Sequence, residues 1–482
     1  MEQRKINQFS DLSNRVENDL QKGSNELLNQ IKSYNTLDKK ISYIQSLNLK
    51  NEIEYQLILN GIIYGMLFDE NMNMDSYFRL LFAINYDGYK TFFKILLDVL
   101  DFSKLKLEKY EKIYQIFERF IKINIDRKSL IEMLILICRN IYPGIDLINS
   151  IISYNNNINN NNLNNNNQNT NPNNEENYSN NYFYTFLIFI KSNLNFILDN
   201  DITLNIKINL TGLIFIKILR LFGETFTFHH IYKLNNNDNS TDSNINATIN
   251  EIAKTYQKVG FNDQTKKFIG EIYELQVYIL TKIYQEKKEK IFEIGRELIR
   301  IIIPLGQSNI EIINTIISDL LNNNYYEKIL YMPYPQPGIN IYSRINIPPI
   351  MERMITYILT NVKRDSLTYK YYVNWMYREF KIEGIGNTIL VDLTRFIMTN
   401  YADFYRKNNN NDTLPRWLIL SYIFQHVKNQ IISSEIKQVL FMDLILFDKE
   451  RDHFLSVEPS IFSIITNMKE FPAISEELVE FL

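Results

Sequence analysis

Cysteine is almost missing: Cys138 is the single one in 482 residues. That excludes an internal disulfide framework and any thiolate zinc cluster, and it suits a reducing compartment. Glycine (14) and proline (11) are also scarce, at about 3% and 2% against usual shares of about 7% and 5%. All-β folds need many turn residues, and α/β folds need glycine in their phosphate and strand-to-helix turns, so both are disfavoured. There is no excess of one charge: 52 basic residues face 55 acidic ones, for a net charge of −3. Tight binding of nucleic acid through the chain's own surface normally shows as a basic excess, so none is expected. Long apolar runs are lacking too. YFYTFLIFI from Tyr182 and LTGLIFIKILRLF from Leu210 are short, and Lys217 breaks the second. A bilayer span needs about 20 apolar residues, and MEQRKINQFSDL at the start has no apolar core for a secretory signal. A soluble intracellular protein is expected.

Catalytic constellations are equally scarce. Gly384 and Gly386 fall in GIGN, without the third glycine or the lysine of a phosphate loop. No G-x-S-x-G elbow occurs. His229 and His230 are adjacent, His426 and His453 stand alone, and none has the i, i+4 companion of a metal site. Asp448, Glu450, Asp452 and His453 in LFDKERDHFL lack the glycine and terminal glutamate of a calcium loop. They read as a solvated connection between helices. Lys287, Lys288 and Lys290 alternate with Glu286 and Glu289, which describes a solvated helix face. Cys138 in MLILIC reads as a small core residue. No catalytic residue, cofactor or metal is expected, and the chain does not read as an enzyme.

What is present is helical. Hydrophobic residues make up 45% of the chain, enough for a large core. Tyr110, Ile113, Phe117 and Phe120 recur at spacings of three and four, as do Phe268, Ile272, Leu275, Ile279 and Ile283. That is the amphipathic helix period. The same pattern over Ile291 to Ile303 predicts a helix that stops before Pro304. Pro349, Pro415 and Pro472 each precede an apolar-periodic segment, and Pro459 falls in a first turn, so all four read as helix starts. Asparagine tracts at Asn155 to Asn181, Asn235 to Asn250 and Asn408 to Asn411 lack apolar surface and read as disordered loops. The expected architecture is an all-α, irregular HEAT-like solenoid of antiparallel helix pairs. Residues 1–154 form its N-terminal part, 155–181 an insert and 182–482 its continuation, with a loop at 235–250.

An ordered series of motifs resembles the N-terminal half of the Integrator complex subunit 3 family, whose members also belong to the sensor-of-single-stranded-DNA (SOSS) complex. TLPRWLIL at Thr413 to Leu420 carries Pro415, Arg416 and Trp417. Downstream follow Asp443, the Glu458-Pro459 pair and Pro472-Ala473-Ile474. Upstream lie Asp392, Leu393 and Arg395 in VDLTRFI, Trp375 in YVNWMYREF, Pro349-Ile350-Met351-Glu352, and Gly295, Arg296, Leu298 and Arg300 in IGRELIR. Weaker similarity reaches Tyr77, Arg79, Asp87 and Gly88, and KLKLEKY before Glu111. The resemblance ends at Leu482, about where the family's first helical half gives way to a second, which carries homodimerisation and contacts to other Integrator subunits.

The resemblance implies a non-enzymatic scaffold. It would serve in Integrator, which processes small nuclear RNA 3′ ends and acts in RNA polymerase II transcription. It would also serve in a single-stranded-DNA sensor of the DNA damage response and DNA repair. Its partners would be other Integrator subunits, a small OB-fold single-stranded-DNA-binding protein and a very small third subunit, with nucleic acid reached only through the partner. The location implied is the nucleus, with the cytoplasm also open. The competing reading is an unrelated α-solenoid adaptor in trafficking or nuclear transport. The family-matching residues read as structural: Trp417 and Trp375 as core aromatics, Arg416 as a buried ion-pair partner or a contact residue, and the prolines as helix starts.

Overall fold

A computed structural model of the chain describes residues 2–47, 51–69, 72–102, 109–123, 127–141, 182–199, 209–235, 263–306, 310–322, 325, 329, 341–362, 368–379, 389–399, 414–427, 430–450, 452, 454–470 and 472–481. The asparagine tracts at 155–181, 236–250 and 408–411, the GIGN segment and His453 lie outside them, as do the side chains of His229 and His230. Among the described residues there is no strand, and helices near one another in sequence pack together, often next but one, as α1 with α3 and α2 with α4, in an all-α, solenoid-like succession. None of these helices is long and apolar enough to cross a membrane. The chain divides into two compact units, Met1–Asn140 and Ile141–Leu482.

The first unit holds α1 (Glu2–Ile31), α2 (Leu37–Ser46), α3 (Glu52–Phe68), α4 (Met74–Ile84), α5 (Lys90–Phe102), α6 (Tyr110–Ile123) and α7 (Arg127–Arg139). Polar side chains start several of them: the Thr36, Asn51 and Asn73 oxygens accept from the N–H groups of Lys39, Ile53 and Ser76. Helix α3 is buried along most of its length and packs along α1. The two approach closely at Gly23 and Gly61, where a Cβ on Gly61 would meet the Gly23 carbonyl oxygen at 2.5 Å. Phe78, Phe92, Phe93 and Phe120 meet edge-on or tilted in one aromatic cluster beside Tyr89. Asp87 fixes the turn before α5, accepting from the Thr91 N–H at 2.8 Å and the Tyr55 hydroxyl at 3.1 Å. Gly88, at φ 68°, takes the left-handed conformation there. Cys138 is fully buried on α7.

The second unit begins with α8 (Tyr182–Ser192), α9 (Leu194–Asp199), α10 (Leu210–Asn235), α11 (Asp263–Phe292), α12 (Arg296–Leu305) and α13 (Glu311–Asn322). It continues through α14 (Ile341–Arg344), α15 (Pro349–Asn361), α16 (Thr368–Glu379), α17 (Ile389–Thr399), α18 (Arg416–Gln425) and α19 (Gln430–Ile445). It closes with a 3-10 turn at Phe454–Ser456, then α20 (Glu458–Ile465), α21 (Asn467–Glu470) and α22 (Pro472–Phe481). Helices α10 and α11 run antiparallel: Asn209, before α10, donates to the Lys290 carbonyl near the end of α11, while Phe222 meets Tyr273 farther along. Pro349 and Pro472 are the first residues of their helices, Pro415 caps α18, and Pro459 lies in the first turn of α20.

One expected helix is wrong in its bounds. Apolar spacing runs unbroken from Ile291 to Ile303, yet the backbone turns at Gly295, at φ 74°, and α12 starts afresh at Arg296. It then continues through Pro304 to Leu305, because a proline near a helix end leaves few intrahelical bonds to lose.

Candidate functional site

Helix α17 is buried all round, with every residue from Ile389 to Thr399 shielded. Such a helix normally carries only apolar side chains, but this one carries Asp392 and Arg395. Both enter a chain of alternating charges. Arg220 of α10 contacts Asp392 with its Nε 3.0 Å from Oδ2. Arg395 lies one helical turn on, its Nη1 3.6 Å from Asp392 Oδ1 and its Nε 3.0 Å from Glu297 Oε1 of α12. Glu297 also accepts from Arg300 Nη1 at 2.8 Å, and Arg300 reaches Asp443 of α19 with its other arm. Three guanidinium groups and three carboxylates therefore link α10, α12, α17 and α19.

Glu435 of α19 stands beside this chain. Burial pushes its carboxyl up from the ordinary value, the Arg220 guanidinium pulls it down, and Asp392 adds to the rise. The three positive and three negative charges of the chain are in balance, which matters because an uncompensated buried charge is worth several kcal/mol of instability.

Two further pairs extend the pattern. Arg296 Nη1 lies 2.7 Å from Asp452 Oδ2, and both side chains are buried. The same Asp452 oxygen accepts the Asp448 N–H at 2.8 Å, which closes the loop after α19 onto the start of α12. This corrects the reading of Asp448, Glu450, Asp452 and His453 as solvated: Glu450 is exposed, but Asp452 is 8% exposed and paired. Arg416, the first residue of α18, donates to the Met398 carbonyl at 2.8 Å, the Leu455 carbonyl at 2.6 Å and Glu458 at 2.8 Å. One planar fork thus ties the end of α17, the 3-10 turn and α20 to α18.

Seven residues singled out by the family resemblance sit in these contacts, Arg296, Arg300, Asp392, Arg395, Arg416, Asp443 and Glu458, together with Asp452 of the acidic cluster. Trp417 is buried beside them, 4% exposed. Pro415 is half-buried, Pro459 buried and Pro472 exposed, each at a helix start. Trp375 stands apart, half-buried on α16. Arg220, Glu297 and Glu435 were not singled out. A signal for Glu297 existed, since it lies within IGRELIR, but nothing local marks Arg220 as the partner of a residue 172 positions away.

Chemically, this arrangement holds rather than reacts. The carboxylates are engaged by guanidinium groups that never give up their protons. No group of three or more His, Cys, Asp or Glu side chains able to hold a metal occurs among the described residues. The Lys287–Lys290 stretch is partly paired as well, with Lys288 2.7 Å from Asp319 and Lys290 3.0 Å from Glu293.

Residues 221–482, more than half of the chain and nearly all of this lattice, match the sequence profile of Integrator complex subunit 3 N-terminal. The chain belongs to that family. Curated relatives agree. An Integrator complex subunit 3 homolog of Dictyostelium discoideum is 27% identical over 209 residues, covering 42% of this chain and 13% of that protein. The homolog of Drosophila erecta is 25% identical over 216 residues, 42% of this chain and 20% of that protein. That of Anopheles gambiae is 28% identical over 141 residues, 29% and 13% of the two chains. The chain thus spans a fifth or less of these relatives' length in the matched region. The Integrator subunit 3 N-terminal match begins one residue after Arg220, so four of the five lattice arginines, Arg296, Arg300, Arg395 and Arg416, fall inside it.

Proposed function

We propose that the chain is a non-enzymatic scaffold of the Integrator complex. The observation that carries this is family membership over the segment that holds the ion lattice. In support, the charged residues of the family-like motifs, Arg296, Arg300, Asp392, Arg395, Arg416, Asp443 and Glu458, fix helices against one another rather than surround an open pocket with reactive groups. Extended helical stacks present large surfaces for protein partners. In this reading the chain works in the nucleus, within the assembly that processes small nuclear RNA 3′ ends and acts on RNA polymerase II transcripts. It also serves a single-stranded-DNA sensor complex of the DNA damage response. There it holds a small OB-fold DNA-binding protein and a very small third subunit.

The net charge of −3 supports an indirect role toward DNA. An OB-fold supplies the basic groove and stacking aromatics that single strands need. A labelled oligonucleotide is titrated against the chain, the OB-fold protein and their mixture, with association of the two proteins followed in parallel. The expected result is weak binding by the chain alone, a stable two-protein complex and tight binding by that complex. Tight, salt-sensitive binding by the chain alone contradicts the scaffold reading, because counterion release on that scale requires several of its own cations at phosphates. Failure of the proteins to associate removes the sensor-complex role and leaves the Integrator role to be judged by co-purification.

A further inference from the structure

The two tryptophans have opposite environments. Trp417 is enclosed, whereas Trp375 is only half-buried on α16. On the same helix, Tyr371 is 43% exposed and Asn374 and Arg378 are exposed. Positions 371, 374, 375 and 378 follow the i, i+3, i+4, i+7 rule and share one face. Asn374, at the edge of this face, accepts from the Tyr422 hydroxyl of α18 at 2.9 Å, and the rest of the inward packing comes from other residues. Tyr372 meets the Tyr357 ring of α15 at 5.7 Å, Tyr369 meets the Tyr422 ring of α18 at 5.7 Å, and Tyr377 donates to the Ile423 carbonyl at 3.3 Å. Helix α16 is anchored without its outward aromatics. Tryptophan, tyrosine and arginine are the residue types that dominate binding hot spots.

The face has a sign. Arg378 lies on it, and Lys370 flanks it, with its ammonium 5.7 Å from the Tyr422 ring centre. The one described acid of α15 and α16, Glu352, is engaged by Arg344 at 2.5 Å; the Glu379 side chain lies outside the described residues. We propose that the Tyr371–Trp375–Arg378 face docks an acidic protein segment with one bulky apolar side chain. The apolar group would pack on Trp375 and Tyr371, and carboxylates would meet Arg378 and Lys370. A nucleic acid is the poorer fit, since two cations neutralise too few phosphates for tight binding. The proposal rests on the scaffold reading for its class of partner.

The test uses the full chain and fluorescence anisotropy. The probes are Asp/Glu-rich peptides with one central Leu, Phe or Trp, their Lys-rich counterparts, and an oligothymidylate. The expected result is binding of an acidic peptide, weakened at least about tenfold by Trp375→Ala and by Arg378→Glu. Arg378→Glu should also improve binding of the Lys-rich peptide. Its site is exposed, so an unchanged melting curve guards against loss of fold. The proposal is overturned if no acidic peptide binds, if Arg378→Glu leaves acidic-peptide binding unchanged, or if the oligothymidylate binds more tightly than the peptides. Absence of Integrator subunits from material purified with the chain would instead sink the scaffold reading, even with peptide binding intact.

Discussion

Replacing Glu297 by glutamine removes one charge from the centre of the lattice while keeping its shape. Glu297 is 2% exposed and touches Arg300 at 2.8 Å and Arg395 at 3.0 Å. At an effective dielectric of about 20, each unit-charge attraction at about 4 Å is worth roughly 4 kcal/mol. Both are lost together, and two guanidinium groups are left facing one another. Removing one partner of a buried ion pair typically costs about 3–5 kcal/mol. That is a large share of the roughly 5–15 kcal/mol by which folded proteins are stable. At about 2 °C per kcal/mol, the lower slope suited to a large unit, Glu297→Gln should lower Tm by roughly 6–10 °C. Calorimetry on the full chain measures this. A companion variant with Glu297, Arg300, Arg395 and Asp443 all made apolar removes two charges of each sign and leaves Arg220–Asp392 intact. It should melt above Glu297→Gln, because balanced removal strands no charge. A Tm for Glu297→Gln within about 2 °C of the parent, less than one kcal/mol on the same slope, or a companion less stable than the single variant, would refute the reasoning.

Three other outcomes are expected. Glu435 has a carboxyl raised by burial, so the stability it contributes is fully present below its unfolded value near 4.5 and is lost as pH rises through the folded value; Glu435→Gln should therefore raise Tm at pH 8 and have no such effect at pH 4, as read by parallel melts. Arg416→Lys keeps the charge but cannot fork to Met398, Leu455 and Glu458, and should cost about 3 kcal/mol in urea unfolding. Gly61→Ala forces α1 and α3 apart at a 2.5 Å approach, and should cost about 1–3 kcal/mol in the same assay.

The helical architecture was legible because amphipathic spacing and proline starts are local signals. Pro349, Pro459 and Pro472 open helices for the reason sequence gives, and Pro415 caps one. The break at Gly295 was not legible, because apolar spacing runs straight through a turn that only a backbone angle reveals. The lattice was half legible. Family-matching motifs pointed to most of its members, but pairing is a three-dimensional fact. Asp452 read as solvated because its neighbours in sequence are charged, while its partner Arg296 lies 156 residues away. Arg220 lies within an apolar run and gave no sign of Asp392, 172 residues on. The tryptophans illustrate the same limit: one local rule placed both in the core, and only burial separated Trp417 from Trp375.

The central claim is that this chain is a scaffold inside Integrator, and co-purification tests it most directly. The full chain, tagged at its own locus, is recovered from nuclear extract beside an untagged control, and the bound proteins are quantified by mass spectrometry. The account predicts strong enrichment of other Integrator subunits, accompanied by an OB-fold single-stranded-DNA-binding protein. Recovery of the folded chain with no Integrator subunit above the control would contradict it.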